Sequence, residues 1–282
     1  MKDLSITVGW LYPDLMSTYG DRGNIICIKK RCSWRTIDLR VEPITAETTI
    51  KKLEAIDILF GGGAQDMEQE IVMNDLRGKK STIIRKQIEK NMPALFVCGS
   101  PQLMGNYYEP AEGKRIEGLG IFDMISKHPG KNAKRLIGNI IAEVQWENLT
   151  DRHPEPRFNR GNRSEGSNQI DSSPLAQNDS LIVGFENHGG RTYLGTNVKP
   201  FAKVVKGYGN NGEDETEGVV YKNAIGSYFH GPLLPKNPHI ADWIIQSALS
   251  QKYQEDIPLT PLDDTLEWRA HRFIANRMGV EL

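Results

Sequence analysis

Short apolar runs recur along the first hundred residues, and each stops at small or turn-forming residues. Residues 4–11, 37–41, 56–60 and 94–97 are such runs, rich in Val, Ile, Leu and Phe. Brief apolar stretches of this kind mark strands buried on both faces. Between them lie segments of helical pattern, 25–35 and 66–90, the second broken near Gly78. Strand and helix alternate, which predicts an α/β fold: a three-layer sandwich with a mostly parallel central sheet flanked by helices.

Beyond residue 130 the pattern changes. Residues 135–144, 181–185, 202–205, 219–221 and 224–229 read as strands with few helices between them, and 241–252 and 266–278 read as helices. Residues 150–179 are dense in Asn, Arg, Ser, Pro, Glu and Asp and almost free of apolar side chains. Such a stretch buries too little surface to offset its ordering entropy. It is expected to be a disordered surface insertion, or else to order only against a partner. The expected organisation is one body over 1–252, interrupted by that insertion, with an extension over 253–282 that carries a helix.

Composition narrows the function classes. The 282 residues carry a net charge of -1, with 25% charged and 38% hydrophobic residues. That balance has no electrostatic footprint of a nucleic-acid or membrane-surface binder. Three cysteines, Cys27, Cys32 and Cys98, make no disulfide framework and fit a reducing compartment. No apolar run approaches the roughly 18 residues of a membrane span. The N-terminus is too short and polar for a signal peptide. The expected location is the cytoplasm.

Chemistry concentrates around Cys98. It closes the run Ala94-Leu95-Phe96-Val97, and Gly99-Ser100-Pro101-Gln102 then opens a helical stretch. A strand that delivers a thiol to a helix N-terminus favours thiolate over thiol, as the strand-to-helix elbow of α/β-hydrolases exposes a serine. Most lone cysteines are buried packing residues, and Cys27 and Cys32 on a helical pattern are read that way. A thiolate that attacks an amide needs a base. His188, in Glu186-Asn187-His188-Gly189-Gly190, and His230, before Gly231-Pro232, each end a strand-like run, and local sequence does not rank them. The other histidines lie beside prolines or on a surface helix. Gly61-Gly62-Gly63 after the third run, together with the N–H of Gly99, are candidate oxyanion donors. Gly207-Tyr208-Gly209-Asn210-Asn211-Gly212 fits a dinucleotide fingerprint in spacing only. It precedes Glu213-Asp214-Glu215 rather than an apolar helix, so it reads as an acidic turn.

Taken together, the segments resemble the class I (triad-type) glutamine amidotransferases of the cobyric acid synthase-like branch. Within it they are most similar to the glutaminase subunits of lipid II isoglutaminyl synthases. The resemblance spans most of the chain. It rests on Tyr19-Gly20-Asp21-Arg22-Gly23-Asn24, Phe60-Gly61-Gly62-Gly63, Cys98-Gly99 with Gln102, Gly184-Phe185-Glu186-Asn187-His188-Gly189-Gly190-Arg191, and Phe229-His230-Gly231-Pro232. It implies a flavodoxin-like sandwich and L-glutamine as substrate. It makes Cys98 the nucleophile, His230 rather than His188 the catalytic histidine, and Arg135 a glutamine-binding arginine, with Gly62, Gly63 and Gly99 around the reacting amide. It implies no cofactor or metal on this chain, and a heterodimer with a Mur ligase-like, ATP-dependent subunit that amidates D-glutamate in lipid II.

Two departures from the family pattern stand out. Ser100-Pro101 replaces the usual Gly-Tyr after Cys-Gly, at the rim expected for the glutamine pocket. Gly231-Pro232 follows His230 where many class I enzymes carry Pro-Glu, so a Cys-His dyad is expected. No G-x-x-x-x-G-K-[ST] loop is present, since Gly78-Lys79-Lys80-Ser81 lacks the leading glycine; ATP chemistry is therefore assigned to the partner. The competing readings are an amidotransferase for a corrinoid-like carboxylate, a non-catalytic interaction subunit and, more remotely, a cysteine peptidase.

Overall fold

A computed structural model of the chain describes residues 3–150 and 180–281. The expected insertion over 150–179 lies outside the described residues, apart from its first position. The first half runs β1 (Ser5–Leu11), α1 (Arg22–Trp34), β2 (Asp38–Ile44), α2 (Ile50–Glu54), β3 (Ile58–Gly61), α3 (Asp66–Leu76), α4 (Lys79–Glu89), β4 (Ala94–Val97) and α5 (Gly99–Met104). The break expected near Gly78 separates α3 from α4. Gly78 has φ 91°, a conformation that glycine adopts without a Cβ clash. The second half runs β5 (Tyr107–Glu109), β6 (Ile116–Glu117), β7 (Met124–Lys127), β8 (Leu136–Val144), α6 (Glu147–Thr150), β9 (Leu181–His188), β10 (Arg191–Leu194) and β11 (Ala202–Lys206). It ends with β12 (Thr216–Glu217), β13 (Val219–Tyr221), β14 (Ala224–Ser227), β15 (Phe229–His230), α7 (Pro238–Tyr253) and α8 (Thr265–Arg277).

The central sheet has the order β13-β14-β4-β3-β1-β2. Every pair in it is parallel except β13 with β14. All four residues of β3 and all four of β4 are buried. Ile58, Phe60, Leu95 and Val97 enter one core with Ile25 and Ile28 of α1 and Ile240 and Ile244 of α7. Their neighbours Leu59, Ala94 and Phe96 enter the other core with Val72 and Leu76 of α3 and Ile84 and Ile88 of α4. Period-2 side chains that are apolar on both faces require helices on both sides; this is the expected three-layer sandwich.

Two smaller sheets, β10-β7-β5-β6 and β12-β11-β8-β9-β15, occupy the second half. Strands β5, β6, β7, β10 and β12 are two to four residues long, too short for a period-2 signal to register in the sequence. The run 224–229 is divided between sheets: β14 pairs with β4, while Phe229 and His230 pair with Glu186 and Phe185 of β9. Ala275 of α8 is buried against Ile141 of β8 and Val183 of β9. No helix among the described residues is long and apolar enough to cross a membrane.

The topology decides where chemistry can occur. Strands β14, β4, β3 and β1 are successive neighbours and run parallel, so the loops after them leave from one edge. That edge is where open α/β sheets place ligands. It receives His230 after β14, Cys98 after β4, Gly61-Gly62-Gly63 at the end of β3, and Asp21 after β1.

Candidate active site

Cys98 has φ 56° and ψ −98°, the left-handed side of backbone space that non-glycine residues rarely adopt. Such a conformation costs on the order of 1–3 kcal/mol and persists only when its surroundings enforce it. Here the Cys98 N–H donates to the Ser227 carbonyl of β14 at 2.8 Å, and α5 begins at the next residue. The elbow leaves the thiol half-buried, lining a cavity of about 720 Å³. Ser100 and Pro101 fall on the buried side of α5. The Ser100 hydroxyl donates to the Gly62 carbonyl, and Pro101 lies against Gly226 of β14. Neither lines the cavity, so this departure from the family pattern faces the sheet.

His230 is fully buried, and so is Asp21. His230 Nδ1 lies 3.1 Å from Asp21 Oδ1, and the other Asp21 oxygen accepts the Gly63 N–H at 2.7 Å. Asp21 stands at the N-cap of α1, yet its carboxylate makes no cap hydrogen bond; it is turned inward to the histidine. Burial opposes charge on His230, but its neighbours Cys98 and Asp21 outweigh it and raise the imidazole to about 10. The remaining nitrogen, Nε2, has no hydrogen-bond partner in the structure, which leaves it available for proton transfer. The Tyr19 ring meets the imidazole edge-on at 5.0 Å. The structure thus sets a carboxylate, from a residue 209 positions away in the chain, behind the histidine of the expected Cys-His dyad.

The glycines divide their roles. The Gly63 N–H, expected to face the oxyanion, is spent on Asp21. A Cβ on Gly63 would lie 3.0 Å from His230 Cε1, and one on Gly62 would strike the Met16 carbonyl. These two positions form the packed wall behind the histidine and do not line the cavity. Ala64 lines it instead, and a Cβ on Gly99 would sit 3.0 Å from the Ala64 nitrogen. The Ala64 nitrogen therefore lies against Gly99, the residue that follows the cysteine. Arg135 lines the same cavity. Its Nε and Nη2 donate to the Asn187 side chain and carbonyl at 2.9 Å each, which leaves Nη1 for a ligand.

Residues 7–238 match the model of the CobB/CobQ-like glutamine amidotransferase domain. The chain belongs to this family. It is 37% identical to the lipid II isoglutaminyl synthase (glutamine-hydrolyzing) subunit GatD of Streptococcus pneumoniae, over 93% of this chain and 87% of that one. It is 34% identical to the GatD subunit of Staphylococcus aureus, over 96% of each chain. A solved glutamine amidotransferase, 14% identical, shares the fold with a TM-score of 0.52, over 86% of this chain and 98% of that one.

In this amidotransferase the other histidine candidate has a supporting place. His188 is buried, stacks on Tyr228 at 3.7 Å and holds the Gly190 carbonyl through Nδ1 at 2.8 Å. Burial holds it below its ordinary range, so it is a neutral wall of the cavity. The glycine-rich turn 207–212 has an anion after all, but an internal one. The N–H groups of Tyr208 and Gly209 grip the buried Glu186 carboxylate at 2.8 and 2.9 Å. Burial pushes the thiols of Cys27 and Cys32 up to about 12, which fits packing residues. Sequence reasoning missed Asp21 as a partner of His230. Its one local signal was an acidic residue in the loop after the first strand of a parallel sheet, and that reads equally well as a helix cap.

Proposed function

We propose that this amidotransferase is the glutamine-hydrolysing subunit of a lipid II isoglutaminyl synthase, with Cys98, His230 and Asp21 as its working groups. The observation that carries the reading is the meeting, at one sheet edge, of a strained cysteine elbow with a buried, carboxylate-bound histidine. The Cys98 thiolate attacks the side-chain carboxamide carbon of glutamine. The amides of Ala64 and Gly99 receive the oxyanion, the kind of preorganised donor pair that acyl transfer requires. His230, loaded with a proton by its two anionic neighbours, protonates the departing NH2 from Nε2, and ammonia leaves a γ-glutamyl thioester. Neutral His230 then takes a proton from water as its oxygen attacks the thioester. Collapse releases glutamate and regenerates the thiolate–imidazolium pair. Arg135 Nη1 pairs with the α-carboxylate of glutamine.

The ammonia passes to a Mur ligase-like, ATP-dependent subunit in a heterodimer, which amidates the D-glutamate carboxylate of lipid II in the cytoplasm. Near full-length likeness to two subunits named for this reaction supports that acceptor. Residues 1–252 form the amidotransferase body in this reading, and 253–282 are an extension of it. Cys98→Ala is expected to abolish ammonia release from glutamine, measured with the partner present. Release near the wild-type rate overturns the assignment. Mass analysis of a stem peptide, acid to amide, tests the acceptor; amidation by this chain alone with ATP overturns the division of labour.

A further inference from the structure

One wall of the Cys98 cavity contains a buried polar atom that the catalytic scheme leaves unused. Gln69, on the second turn of α3, is 2% exposed and lines the cavity. Its Nε2 donates to the Ala64 carbonyl at 3.2 Å and to Gln102 Oε1 at 3.1 Å. Its Oε1 has no partner. A backbone carbonyl can only accept, so the bond to Ala64 fixes which end of the Gln69 amide is nitrogen. The rest of the chain agrees. Gln102 Nε2 donates to Tyr228 Oη at 3.0 Å, and that hydroxyl meets Thr192 Oγ1 at 2.7 Å. The orphaned atom is therefore an acceptor, held in place by a network with no slack.

The Nε2 end of the same amide shows where the group sits. A Cβ on Gly99, the residue after the nucleophile, would lie 3.0 Å from Gln69 Nε2. Gln69 thus stands against the elbow itself, beside the Ala64 and Gly99 amides. Asp66 and Glu68 of the same helix also line the cavity with carboxylates. Asp66 already accepts from the Tyr108 hydroxyl, and Glu68 Oε2 is another buried oxygen without a partner. This wall offers acceptors and negative charge. Native structures rarely strand a buried polar atom without a reason, and a site built to bond an N–H strongly rejects an analogue that lacks it.

We propose that Gln69 is a specificity-determining residue that reads the NH2 of the reacting carboxamide, separating glutamine from its product glutamate. The inference rests on the glutaminase reading of the site. The Gln69 carbonyl accepts an N–H from the substrate amide. The glutamate carboxylate brings no donor and meets acceptors and like charge, so the product is expelled.

The test compares two substrates on the holo-complex: glutamine, and the γ-methyl ester of glutamate, which has no N–H at the reacting carbon. Gln69→Met keeps the volume and removes the acceptor, along with the Nε2 donor to Ala64 and Gln102, a loss that bears on both substrates alike. The variant is expected to lower kcat/KM for glutamine roughly 10-fold to 100-fold while leaving the ester within a few-fold, so the amide-to-ester ratio falls. An unchanged ratio overturns the proposal, because a merely structural role lowers both substrates together. A wild-type measurement guards against misfolding of the variant: the Ki for glutamate is expected to exceed the KM for glutamine by at least roughly 100-fold, and near equality overturns the proposal. If the wild-type complex hydrolyses neither substrate, the underlying glutaminase reading falls, an outcome distinct from a failure of Gln69 alone.

Discussion

Asp21 uses both carboxylate oxygens, one toward His230 Nδ1 and one for the Gly63 N–H. An asparagine has one acceptor oxygen for these two donors. If that oxygen keeps Gly63, the NH2 of the substituted carboxamide faces Nδ1 and forces the imidazole into the opposite tautomer, with its proton misplaced and its charge unsupported. Asp21→Asn is therefore expected to cost roughly 10²–10⁴-fold in kcat, the range of general acid–base catalysis, with a smaller change in KM. The pH profile separates this from simple damage. Asp21 is one of the two charges that lift His230 to about 10, so the alkaline limb of the rate profile is expected to move to lower pH in the variant. An unmoved limb overturns the positioning role. At this scale the sequence was partly legible. Cys98 announced itself through an apolar run that ends in a helix start, both local properties. Asp21 and Gln69 did not, because their meaning comes from atoms 209 and 33 positions away, and neither an acidic residue in a loop nor a polar one on a helix is unusual.

Elements were legible in proportion to their length and their independence from neighbours. The strands of the central sheet carry their own signal, since β3 and β4 must be apolar on both faces whatever packs on them. Strand β12 shows the opposite case. Thr216 and Glu217 form a two-residue strand, and Glu217 is buried beneath β14. One of its oxygens accepts from Ser227 Oγ at 2.7 Å and the Tyr228 N–H at 2.9 Å, while the other has no partner. No periodicity foretells a buried carboxyl there. Desolvation pushes Glu217 up to about 8, against the hydrogen bonds that favour its ionised form. A folded-state value above the unfolded one means that the native state holds the proton more tightly. The contribution to stability is then complete below pH of about 4.5 and is lost as pH rises through about 8. Across that window each pH unit removes up to about 1.4 kcal/mol. Glu217→Gln mimics the protonated form and is expected to flatten this dependence. Melting curves from roughly pH 5 to 9, a range that brackets the titration, should show the wild type falling relative to the variant. Parallel curves overturn the buried-proton account. The stake is functional, because Glu217 anchors Ser227 and Tyr228, and Ser227 in turn holds the Cys98 elbow.

Over the whole molecule, α1 links the site to α7 and α8. At its start, Asp21 grips His230 and Asn24 Oδ1 accepts the Leu234 N–H at 2.9 Å, just beyond the His230-Gly231-Pro232 turn. Further along the helix, Arg31 is 1% exposed and bonds Asp242 of α7 through Nε and Nη2 at 2.6 and 2.7 Å. It also bonds Asp264, at the N-cap of α8, through Nη1 and Nη2 at 2.6 and 2.9 Å. Arg35 adds a second fork to Asp242. Two cations and two anions thus balance, and the cluster staples three helices from distant parts of the chain. The sequence offered the helices but not the staple, since an arginine on a helical pattern reads as a solvated face until α7 and α8 close over it. Removing one anion strands positive charge where water cannot reach it. Replacing one partner of a fully buried pair costs about 3–5 kcal/mol. Asp264 retains 18% side-chain exposure, so Asp264→Asn is expected to cost less, about 2–3 kcal/mol, read as a lower urea midpoint at unchanged slope. Because the other end of α1 keeps its own bonds to β15 and the turn after it, glutamine hydrolysis per folded molecule is expected to stay near wild type at temperatures below the transition. A loss of kcat in fully folded Asp264→Asn would instead mean that α8 acts on the geometry of His230 through α1, and the stapling role would give way to control of the site.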